Sequence, residues 1–344
     1  MPEFPEVVVF DGDDETDAAS DLARRLATLD ISAPFVISGS AGRVLGSALG
    51  DLRPEAVSVS KTDQAWADDA GAAARAAGAD AIVAIGGGRC LDVAKLASAR
   101  AGLVNVAVPT QLSHDGICSP VAVVPNEAGE SESLGAVEPR FVYLSMPTLL
   151  HAPIGSVRAG IGDLLANPLA LKDWALAVER GLDEMDQRAW DMSVESFELI
   201  QGDLDRDPAD SVSDIEFHRR LADALILSGM AMVIAGTSRP ASGGEHEISH
   251  AIDSVFGGRA MHGAQVAFGC IFSVALWGED AGAFRTRLRR LGLPDDPAKL
   301  GLSPDDVGAI LLAAPQTRPG RFTIIEESNL DTSSARALVT QIWS

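Results

Sequence analysis

The sequence predicts an N-terminal α/β domain built on a parallel sheet, followed by an all-α domain. In the first half of the chain, short runs of β-branched residues alternate with alanine-rich runs of helical spacing, an order typical of parallel strands joined by helices. From about residue 156 the helical pattern continues almost to the end. Because 344 residues exceed one small core, we expect two domains, at 1–150 and 151–344, with a hinge near 145–155.

The predicted strands of the first domain are apolar along their length, as expected when helices cover both faces of a sheet. They lie at 7–10, 34–38, 56–60, 81–85 and 104–108. The predicted helices lie at 14–28, 42–49, 64–77 and 89–101. The pattern changes after Pro109, where 121–124 and 141–144 predict the two strands of an antiparallel hairpin joined by a polar loop.

Helical spacing predicts most of the second domain. The predicted helices lie at 172–180, 215–235, 245–255, 263–276, 282–291 and 304–314. The apolar run at about 224–236 is too short to span a bilayer and predicts a buried helix. The acidic segment 203–214 predicts a solvated loop.

Composition limits the classes of partner. The formal net charge of −22 disfavours binding to nucleic acid or to an anionic membrane, so an anionic substrate needs a local positive feature. The three cysteines, Cys90, Cys118 and Cys270, form no CxxC pair and indicate neither a disulfide framework nor a zinc ribbon. The acidic N-terminus lacks the basic region of a signal peptide. We therefore expect a cytoplasmic protein without membrane insertion, and we expect it to form a homo-oligomer.

A triple glycine, Gly86-Gly87-Gly88, follows the predicted strand at 81–85 and precedes a predicted helix. Glycines let the backbone approach a pyrophosphate, and a helix N-terminus offers free N–H groups. This arrangement predicts the dinucleotide site of a Rossmann-like domain, although its spacing departs from the GxGxxG fingerprint. A tight turn without a ligand is the alternative. Asp92 is a candidate ribose or nicotinamide contact, or a carboxylate stabilised by the helix dipole.

A dense polar cluster follows the next predicted strand, with Thr110, Ser113, His114 and Asp115 close together. Ligands bind at the carboxyl ends of strands in an open parallel sheet, which favours a ligand-binding loop here. Turn formation and helix capping are the alternative explanation for the same residue types.

Three histidines, His246, His250 and His262, form the densest group of candidate metal ligands. His246 and His250 are four residues apart, so on a helix they share one face. Asp163 follows a glycine-rich stretch that predicts the start of a helix. One carboxylate and two imidazoles leave an open coordination position, as in catalytic zinc sites. The alternative is that these histidines are satisfied within a helical core.

The segment from His246 to His250 also matches the HExxH helix of zinc proteases, in which both histidines bind zinc and Glu247 is the general base. The metzincin extension is absent, because no glycine and third histidine follow at the required spacing. A third ligand such as Glu279 would suit the other protease class. A nucleotide-binding first half does not favour a protease.

Together the motifs resemble the sn-glycerol-1-phosphate dehydrogenase family, a branch of the dehydroquinate synthase and iron-containing alcohol dehydrogenase superfamily. The resemblance covers nearly the whole chain and implies a dehydroquinate synthase-like fold. The motifs that carry it are Gly86-Gly87-Gly88 with Asp92-Val93-Ala94-Lys95, Val108-Pro109-Thr110, Ser113-His114-Asp115-Gly116 with Ser119-Pro120, Gly162-Asp163, Lys172-Asp173-Trp174, Ser238-Arg239-Pro240-Ala241-Ser242-Gly243 with Glu245, His246 and His250, His262-Gly263, and Arg318 with Gly320-Arg321-Phe322-Thr323-Ile324.

The resemblance implies a role for each candidate residue. Asp163, His246 and His262 would bind the metal, which would be Zn²⁺ or alternatively Ni²⁺ or Fe²⁺. Asp115, His250 and Asp163 would contact the substrate as catalytic residues. The residues that would line NAD or NADP are Gly86, Gly87, Gly88, Arg89, Cys90, Leu91, Asp92, Thr110, Gln111, Leu112, Ser113 and Ser119.

The reaction that the resemblance implies is the reversible reduction of dihydroxyacetone phosphate, a small phosphorylated substrate, to sn-glycerol 1-phosphate. The metal would polarise the carbonyl, and NAD(P)H would deliver a hydride. His250, or a water held by it, would relay the proton, because the ordinary pKa of histidine suits that task.

Two departures and three alternatives accompany this interpretation. Arg89 stands where a lysine is frequent in the family, and Lys61 follows Ser60 where an acid would bind the ribose 2′-hydroxyl, which favours NADPH. A sugar-phosphate cyclase of the dehydroquinate synthase type would use the same groups but recycle NAD. A dehydrogenase of the same branch would act on another polyol or phosphate, and a sensor would only bind the nucleotide.

Overall fold

The computed structural model describes residues 4–42, 45–46, 49, 55–59, 61–127, 129 and 131–343. The chain divides into two compact units. Unit 1 comprises Met1–Pro153 and Ser213–Gly229, and unit 2 comprises Ile154–Val212 and Met230–Ser344. The predicted division after residue 150 placed 213–229 in the second domain, whereas this segment clusters with unit 1.

The part of unit 1 that the structure describes contains eight strands. They are β1 (Glu6–Phe10), β2 (Pro34–Ser38), β3 (Glu55–Ser58), β4 (Ala81–Gly86), β5 (Val104–Pro109), β6 (Val121–Pro125), β7 (Ser131–Gly135) and β8 (Phe141–Ser145). Six of them form one parallel sheet in the order β1-β8-β5-β4-β2-β3, which confirms the predicted parallel sheet. The predicted strand at 56–60 matches β3 as far as residue 58, while Ser60 lies outside the described residues.

The predicted hairpin between 121–124 and 141–144 is wrong. β6 pairs antiparallel with β7, and β8 lies between β1 and β5 in the main sheet. The burial of the strands gives the reason. All five residues of β8 are buried, as in a parallel sheet covered on both faces, whereas β6 alternates buried and half-buried residues as a hairpin strand does.

Among the described residues, four helices of unit 1 precede the boundary at Pro153: α1 (Glu15–Thr28), α2 (Gln64–Ala76), α3 (Gly88–Ala101) and α4 (Met146–Leu150). Asp14 and Asp63 cap α1 and α2 through hydrogen bonds from backbone N–H groups, so the sequence begins both helices at an acidic cap. Of the predicted helix at 42–49, only positions 42, 45, 46 and 49 are described. The hydrophobic core between helix α1 and the sheet includes Leu22, Val83 and Tyr143.

The remaining helices are α5 (Ile154–Leu164), α6 (Asn167–Glu179), α7 (Gln187–Gln201), α8 (Ile215–Ala235), α9 (Gly244–Phe256), α10 (His262–Leu276), α11 (Ala281–Arg290), α12 (Pro304–Thr317), α13 (Ile324–Ser328) and α14 (Thr332–Trp343). These helices confirm the predicted all-α half. None of the described helices is long and apolar enough to cross a bilayer. Helix α7 was not predicted. Its buried face carries Ser193 and Ser196 beside Ala189 and Ile200, so the sequence shows little apolar periodicity there.

Candidate metal centre and nucleotide loops

Three helices of unit 2 each contribute one candidate metal ligand. His246 lies in the first turn of α9, and His262 is the first residue of α10. Asp163 precedes the last residue of α5, so the expectation that it begins a helix is wrong. Gly160 and Gly162 are helical residues inside α5, and the glycine-rich stretch therefore marks close helix packing instead of a helix start.

The ligand atoms of these residues converge. Oδ1 of Asp163 lies 3.7 Å from Nε2 of His246 and 3.7 Å from Nε2 of His262. One ligand atom from each residue lies within 4.8 Å of the others. Two atoms bonded at about 2.1 Å to one tetrahedral ion are about 3.4 Å apart, so small side-chain movements bring these atoms around one cation. One carboxylate oxygen and two imidazole nitrogens suit zinc and also ferrous iron.

Glu245 supports His246 from the side opposite the other ligands. Its Oε1 lies 3.0 Å from Nδ1 of His246 and accepts a 2.5 Å hydrogen bond from the N–H of Gly243. A carboxylate in this position keeps Nδ1 protonated and leaves Nε2 to bind a cation. Burial lowers the pKa of His246, but the hydrogen bonds and charges of Asp163 and Glu245 outweigh it and raise the pKa to about 9. The pocket therefore favours a cation.

Helices α5 and α10 cross at glycines beside the ligands. A Cβ atom added to Gly263 would lie 1.9 Å from the carbonyl oxygen of Ala159. One added to Gly162 would lie 2.4 Å from the carbonyl oxygen of Gly263. Because no side chain separates the two backbones, Asp163 and His262 are brought within reach of one ion.

Helices α9 and α10 approach just as closely. A Cβ atom added to Gly269 would lie 2.4 Å from the carbonyl oxygen of Glu245. This contact fixes the first turn of α9, and with it His246, against the helix that carries His262. The geometry of the candidate metal centre thus depends on backbone contacts that only glycine permits.

His250 contacts different groups from the other two histidines. Its Nε2 lies 3.0 Å from Nη2 of Arg318, and its ring centroid lies 6.0 Å from that of His262. A guanidinium only donates, so Nε2 accepts and the ring proton is on Nδ1. Burial and the positive charge of Arg318 hold the pKa of His250 well below its usual value. His250 is therefore neutral, and the argument for a proton relay from the ordinary pKa of histidine does not apply in this environment.

Glu247 points toward the N-terminus of α13. Its Oε2 accepts a 3.1 Å hydrogen bond from the hydroxyl of Thr323, the N-cap of that helix. Burial and the nearby carboxylate of Glu326 raise the pKa of Glu247 to about 9. A protease base must reach the water on the metal, and both histidines of the motif must bind that metal. Glu247 is hydrogen-bonded to Thr323, and His250 is hydrogen-bonded to Arg318. These contacts do not fit the roles that the HExxH motif gives to the two residues.

In unit 1 the triple glycine forms the turn between β4 and α3. Gly86 ends β4, Gly87 is the N-cap of α3, and α3 begins at Gly88. A Cβ atom on Gly88 would lie 1.9 Å from Nε2 of His114, and one on Gly87 would lie 2.8 Å from the side-chain nitrogen of Gln111. The glycines therefore make room for the loop after β5.

The two predicted ligand loops are neighbours. β4 and β5 are adjacent, with Gly86 opposite Pro109, and the N–H of Thr110 donates a 3.0 Å hydrogen bond to the carbonyl of Gly86. Both loops leave the carboxyl edge of the sheet at the same place, where parallel α/β sheets bind ligands.

A buried lysine ties α3 to the loop after β5. Lys95 is 1% exposed, and its Nζ lies 3.0 Å from Oδ1 of Asp92 and 3.3 Å from Oγ of Ser119. The same ammonium donates to the carbonyl of Val121. Lys95 therefore holds Asp92 and Ser119, two predicted dinucleotide contacts, in fixed positions.

Asp115 is held by α8 within unit 1. The hydroxyl of Ser228 donates a 3.0 Å hydrogen bond to Oδ2 of Asp115. A Cβ atom on Gly229 would lie 2.8 Å from the carbonyl oxygen of Asp115. The first part of α8 therefore packs directly on the loop after β5, which explains why 213–229 clusters with unit 1.

Several predicted dinucleotide contacts have buried side chains, among them Cys90, Leu91 and Leu112. The thiol of Cys90 donates to the carbonyl of Ile37 at 3.5 Å, and burial raises its pKa to about 12. Any contact of these residues with a dinucleotide would therefore be made by their backbone groups. Arg89 is exposed and Gln111 is half-buried, so their side chains are available.

Known proteins have sequences similar to this one. A family described as iron-containing alcohol dehydrogenase matches residues 15–153. The glycerol-1-phosphate dehydrogenase (NAD(P)+) of Cenarchaeum symbiosum is 35% identical over 256 residues, covering 74% of this chain and 71% of the relative. That of Methanospirillum hungatei is 34% identical over 315 residues, covering 90% and 86%. The chain belongs to the glycerol-1-phosphate dehydrogenase family.

The fold agrees with this membership. The glycerol dehydrogenase of Schizosaccharomyces pombe superposes with a TM-score of 0.76 at 16% identity, covering 99% of this chain and 90% of that one. The comparison confirms the predicted fold class of an α/β half followed by a helical half.

Sequence reasoning assigned no role to several residues that shape the site of this glycerol-1-phosphate dehydrogenase family member. The contact of Lys95 with Asp92 could have been predicted, since the two residues lie three positions apart on one helix. The sequence does not predict the contact of Glu245 with His246, because adjacent residues on a helix do not face each other. Ser228 and Arg321 are distant in sequence from the residues that they contact.

Proposed function

We propose that this chain catalyses the reversible, NAD(P)-dependent reduction of dihydroxyacetone phosphate to sn-glycerol 1-phosphate with the help of a divalent metal. The observation that carries the proposal is the convergence of Asp163, His246 and His262, with Glu245 behind His246. The activity named for the relatives from Cenarchaeum symbiosum and Methanospirillum hungatei supports the choice of cofactor and substrate.

We assign the metal to Asp163, His246 and His262, with Zn²⁺ as the proposed ion and Ni²⁺ or Fe²⁺ as alternatives. Held by these three residues, an ion would supply Lewis-acid polarisation of the substrate carbonyl. Glu245 orients His246 by holding the proton on Nδ1. Asp163 also contacts the substrate in this proposal.

We assign the dinucleotide to the two loops at the carboxyl edge of the sheet. The backbone N–H groups at the start of α3 suit a pyrophosphate, because the glycine turn lets it approach. Lys95 fixes Asp92 and Ser119 beside that position. A dinucleotide held there would supply the hydride, and both NAD and NADP are proposed as cofactors.

Reduction adds a hydride to the carbonyl carbon and a proton to its oxygen. We assign Asp115, oriented by Ser228, and His250 to substrate binding. Arg318 donates a hydrogen bond to Nε2 of His250, so this neutral imidazole does not take up a proton at Nε2. Its Nδ1–H remains as a hydrogen-bond donor. We propose that the Nδ1–H of His250 orients either a substrate hydroxyl or a water molecule. In either case a water molecule gives the proton to the carbonyl oxygen, and solvent protonates the hydroxide that is left.

We also propose a cytoplasmic homo-oligomer. The buried and free thiols of Cys90, Cys118 and Cys270 support a reducing compartment. Strand β1 lies at an edge of the main sheet and exposes Val7, and Phe4 just before it is 51% exposed. An exposed apolar edge strand supports association with another copy, which light scattering on the purified protein measures.

The activity is tested by following the absorbance of NADH and NADPH after addition of dihydroxyacetone phosphate to metal-loaded protein. We expect one reduced nicotinamide to be consumed for each glycerol phosphate formed. The product should be inert to an enzyme specific for sn-glycerol 3-phosphate. No consumption of either nucleotide would reject the proposal. Conversion of a sugar phosphate without net loss of nucleotide would indicate a cyclase.

Glu247→Gln distinguishes the proposed enzyme from a metalloprotease. The high pKa of Glu247 means that its carboxyl group is neutral at pH 7, and glutamine has the same shape and still accepts from Thr323. We expect reductase activity within about threefold of the parent, since a buried group replaced by an isostere costs little. A loss of about 10³-fold with unchanged folding would indicate that Glu247 is a catalytic base.

A further inference from the structure

A buried carboxylate on α6 holds the starts of two other helices. Asp173 is 1% exposed. Its Oδ2 accepts a 2.8 Å hydrogen bond from the N–H of Gly244, the first residue of α9. Its Oδ1 accepts a 3.0 Å hydrogen bond from the N–H of Ile324, the first residue of α13. Each oxygen therefore serves one helix, and the two bonds together use both oxygens.

The start of α9 depends on this carboxylate because its own N-cap has no side chain. The N-cap is Gly243, and it makes no side-chain hydrogen bond to the helix. A serine, threonine, aspartate or asparagine at that position would supply such a bond. A Cβ atom added to Gly243 would lie 2.4 Å from Oδ2 of Asp173. The glycine thus makes room for the carboxylate of α6, which caps α9 from a different helix.

The capped turn carries one of the proposed metal ligands. His246 lies two residues after Gly244 in the first turn of α9. Its N–H donates a 3.1 Å hydrogen bond to the carbonyl of Gly243, so the ligand and the capped N–H belong to the same turn. Asp163 and His262 lie on α5 and α10. A shift at the start of α9 would therefore move His246 relative to the other two ligands.

Stability alone does not favour an acid at position 173. Burial, followed by the negative charge of Glu245, raises the pKa of Asp173 to about 7, although the N–H groups of Gly244 and Ile324 oppose this rise. The folded protein therefore disfavours the ionised carboxylate. An apolar side chain would avoid that cost and would leave both N–H groups without their acceptor. A costly group at the base of a candidate site indicates a functional reason for keeping it.

We propose that Asp173 is a positioning residue for the metal centre and fixes the first turn of α9 so that Nε2 of His246 faces the ion. This inference rests on the proposed function, because it requires that Asp163, His246 and His262 bind the metal. Asp173 acts through the backbone of α9, whereas Glu245 acts on the imidazole itself. Replacement of a group that orients a metal ligand typically lowers metal affinity by about 10- to 100-fold.

Asp173→Ala tests the position of the turn. It removes both oxygens, so the N–H groups of Gly244 and Ile324 lose their acceptor. We expect Zn²⁺ affinity, measured by competition with a chromophoric chelator, to fall by about 10- to 100-fold. The visible absorption of bound Co²⁺, which reports the geometry around the ion, should change as well. Parental Zn²⁺ affinity together with a parental Co²⁺ spectrum would overturn the proposal.

Asp186→Ala is the matched control for the loss of a helix cap. Asp186 caps α7, also in unit 2, and accepts from the N–H groups of Arg188 and Ala189. Its loss should lower the thermal unfolding temperature, and it should leave Zn²⁺ affinity and the Co²⁺ spectrum unchanged. If Asp173→Ala gave this same result, the role of Asp173 would be purely structural and the proposal would be wrong.

Asp173→Glu separates position from charge. It keeps the negative charge, but its extra methylene displaces the carboxylate in a space where even a Cβ atom on Gly243 would collide. We therefore expect Zn²⁺ affinity to fall as it does in Asp173→Ala. Parental affinity in the glutamate variant, with weak binding in the alanine variant, would mean that charge alone matters and would reject the positioning role.

A conservative variant covers loss of folding. Circular dichroism and thermal unfolding identify an alanine or glutamate variant that does not fold. Asp173→Asn then takes its place, because asparagine has the same shape and keeps one acceptor oxygen. A changed Co²⁺ spectrum in this variant supports the proposal, since the loss of a distant charge leaves the geometry around the ion unchanged. An unchanged spectrum overturns it.

Hydrogen exchange in the metal-free protein separates this inference from the proposed function. Asp173→Ala should speed the exchange of backbone N–H groups in the first turn of α9 by about tenfold or more, and Asp186→Ala should not. If the parent binds no Zn²⁺ or does not reduce dihydroxyacetone phosphate, the proposed function fails, and this faster exchange still supports Asp173 as the residue that fixes the turn of His246. Unchanged exchange in that turn would overturn the inference whether or not the parent is active.

Discussion

His262→Ala is expected to remove the bound metal and the reductase activity together. His262 supplies one of three converging ligand atoms, and loss of a ligand from a three-residue site leaves too few protein donors to hold the ion. A metal ion at the proposed site would contribute several kcal/mol of transition-state stabilisation, so we expect kcat/KM to fall by about 10³-fold or more. Metal content per chain, measured by mass spectrometry on the purified protein, should fall toward zero.

The fold should survive this substitution. His262 is the first residue of α10 and its side chain is 30% exposed, so truncation opens no large cavity. Added Zn²⁺ should raise the thermal unfolding temperature of the parent, because an ion that binds only the folded state stabilises it, and it should leave His262→Ala unchanged.

His250→Ala is the matched comparison. His250 is bonded to Arg318 and lies outside the group of converging ligand atoms, so its loss should leave the metal content unchanged and lower turnover. A His262→Ala protein with full metal content and parental activity would refute the assignment of the metal centre. A fully active His250→Ala protein would remove His250 from the substrate contacts.

The sequence predicts a site best where local pattern and chemistry agree. Gly86-Gly87-Gly88 between an apolar strand and a helix predicted the turn that the structure contains, because the spacing of such a turn is local. His246 and His262 were singled out by their chemical type and by their helical positions. The structure brings both to Asp163, and their role as ligands stays a prediction.

Prediction failed where distant residues decide the outcome. β8 was assigned to a hairpin because it follows β6 in sequence, yet it inserts between β1 and β5 through parallel pairing over a long separation. Its fully apolar sequence, Phe141-Val142-Tyr143-Leu144, was the available signal that both of its faces are covered. Helical position alone also gave no hint that Arg318 contacts His250, since 68 residues separate them.

Gly263→Ala is expected to damage both stability and metal binding, although it changes no ligand. The added Cβ atom would lie 1.9 Å from the carbonyl oxygen of Ala159, where real contacts keep 3.0 Å or more. Backbone atoms cannot rotate away as a flexible side chain can, so α5 and α10 must separate by about 1 Å. We expect the free energy of unfolding of the metal-free protein to fall by about 2 kcal/mol, as is typical of overpacked cores.

The loss of metal affinity follows from the same displacement. Asp163 lies next to Gly162 on α5, and His262 lies next to Gly263 on α10, so separation of the helices moves these ligand atoms apart. A misplacement of about 1 Å costs on the order of 10²-fold in well-aligned sites, and we expect a similar fall in Zn²⁺ affinity. Competition with a chromophoric chelator measures this affinity directly, without reference to turnover.

Gly308→Ala separates this effect from the general effect of replacing a helical glycine. Gly308 lies inside α12, and a Cβ atom added there meets nothing within 4 Å. Alanine at this position should stabilise the protein by about 0.5–1 kcal/mol, because glycine loses more conformational entropy in a helix, and Zn²⁺ affinity should not change. If Gly263→Ala behaved like Gly308→Ala in both measurements, close contact between α5 and α10 would not be what holds Asp163 and His262 together.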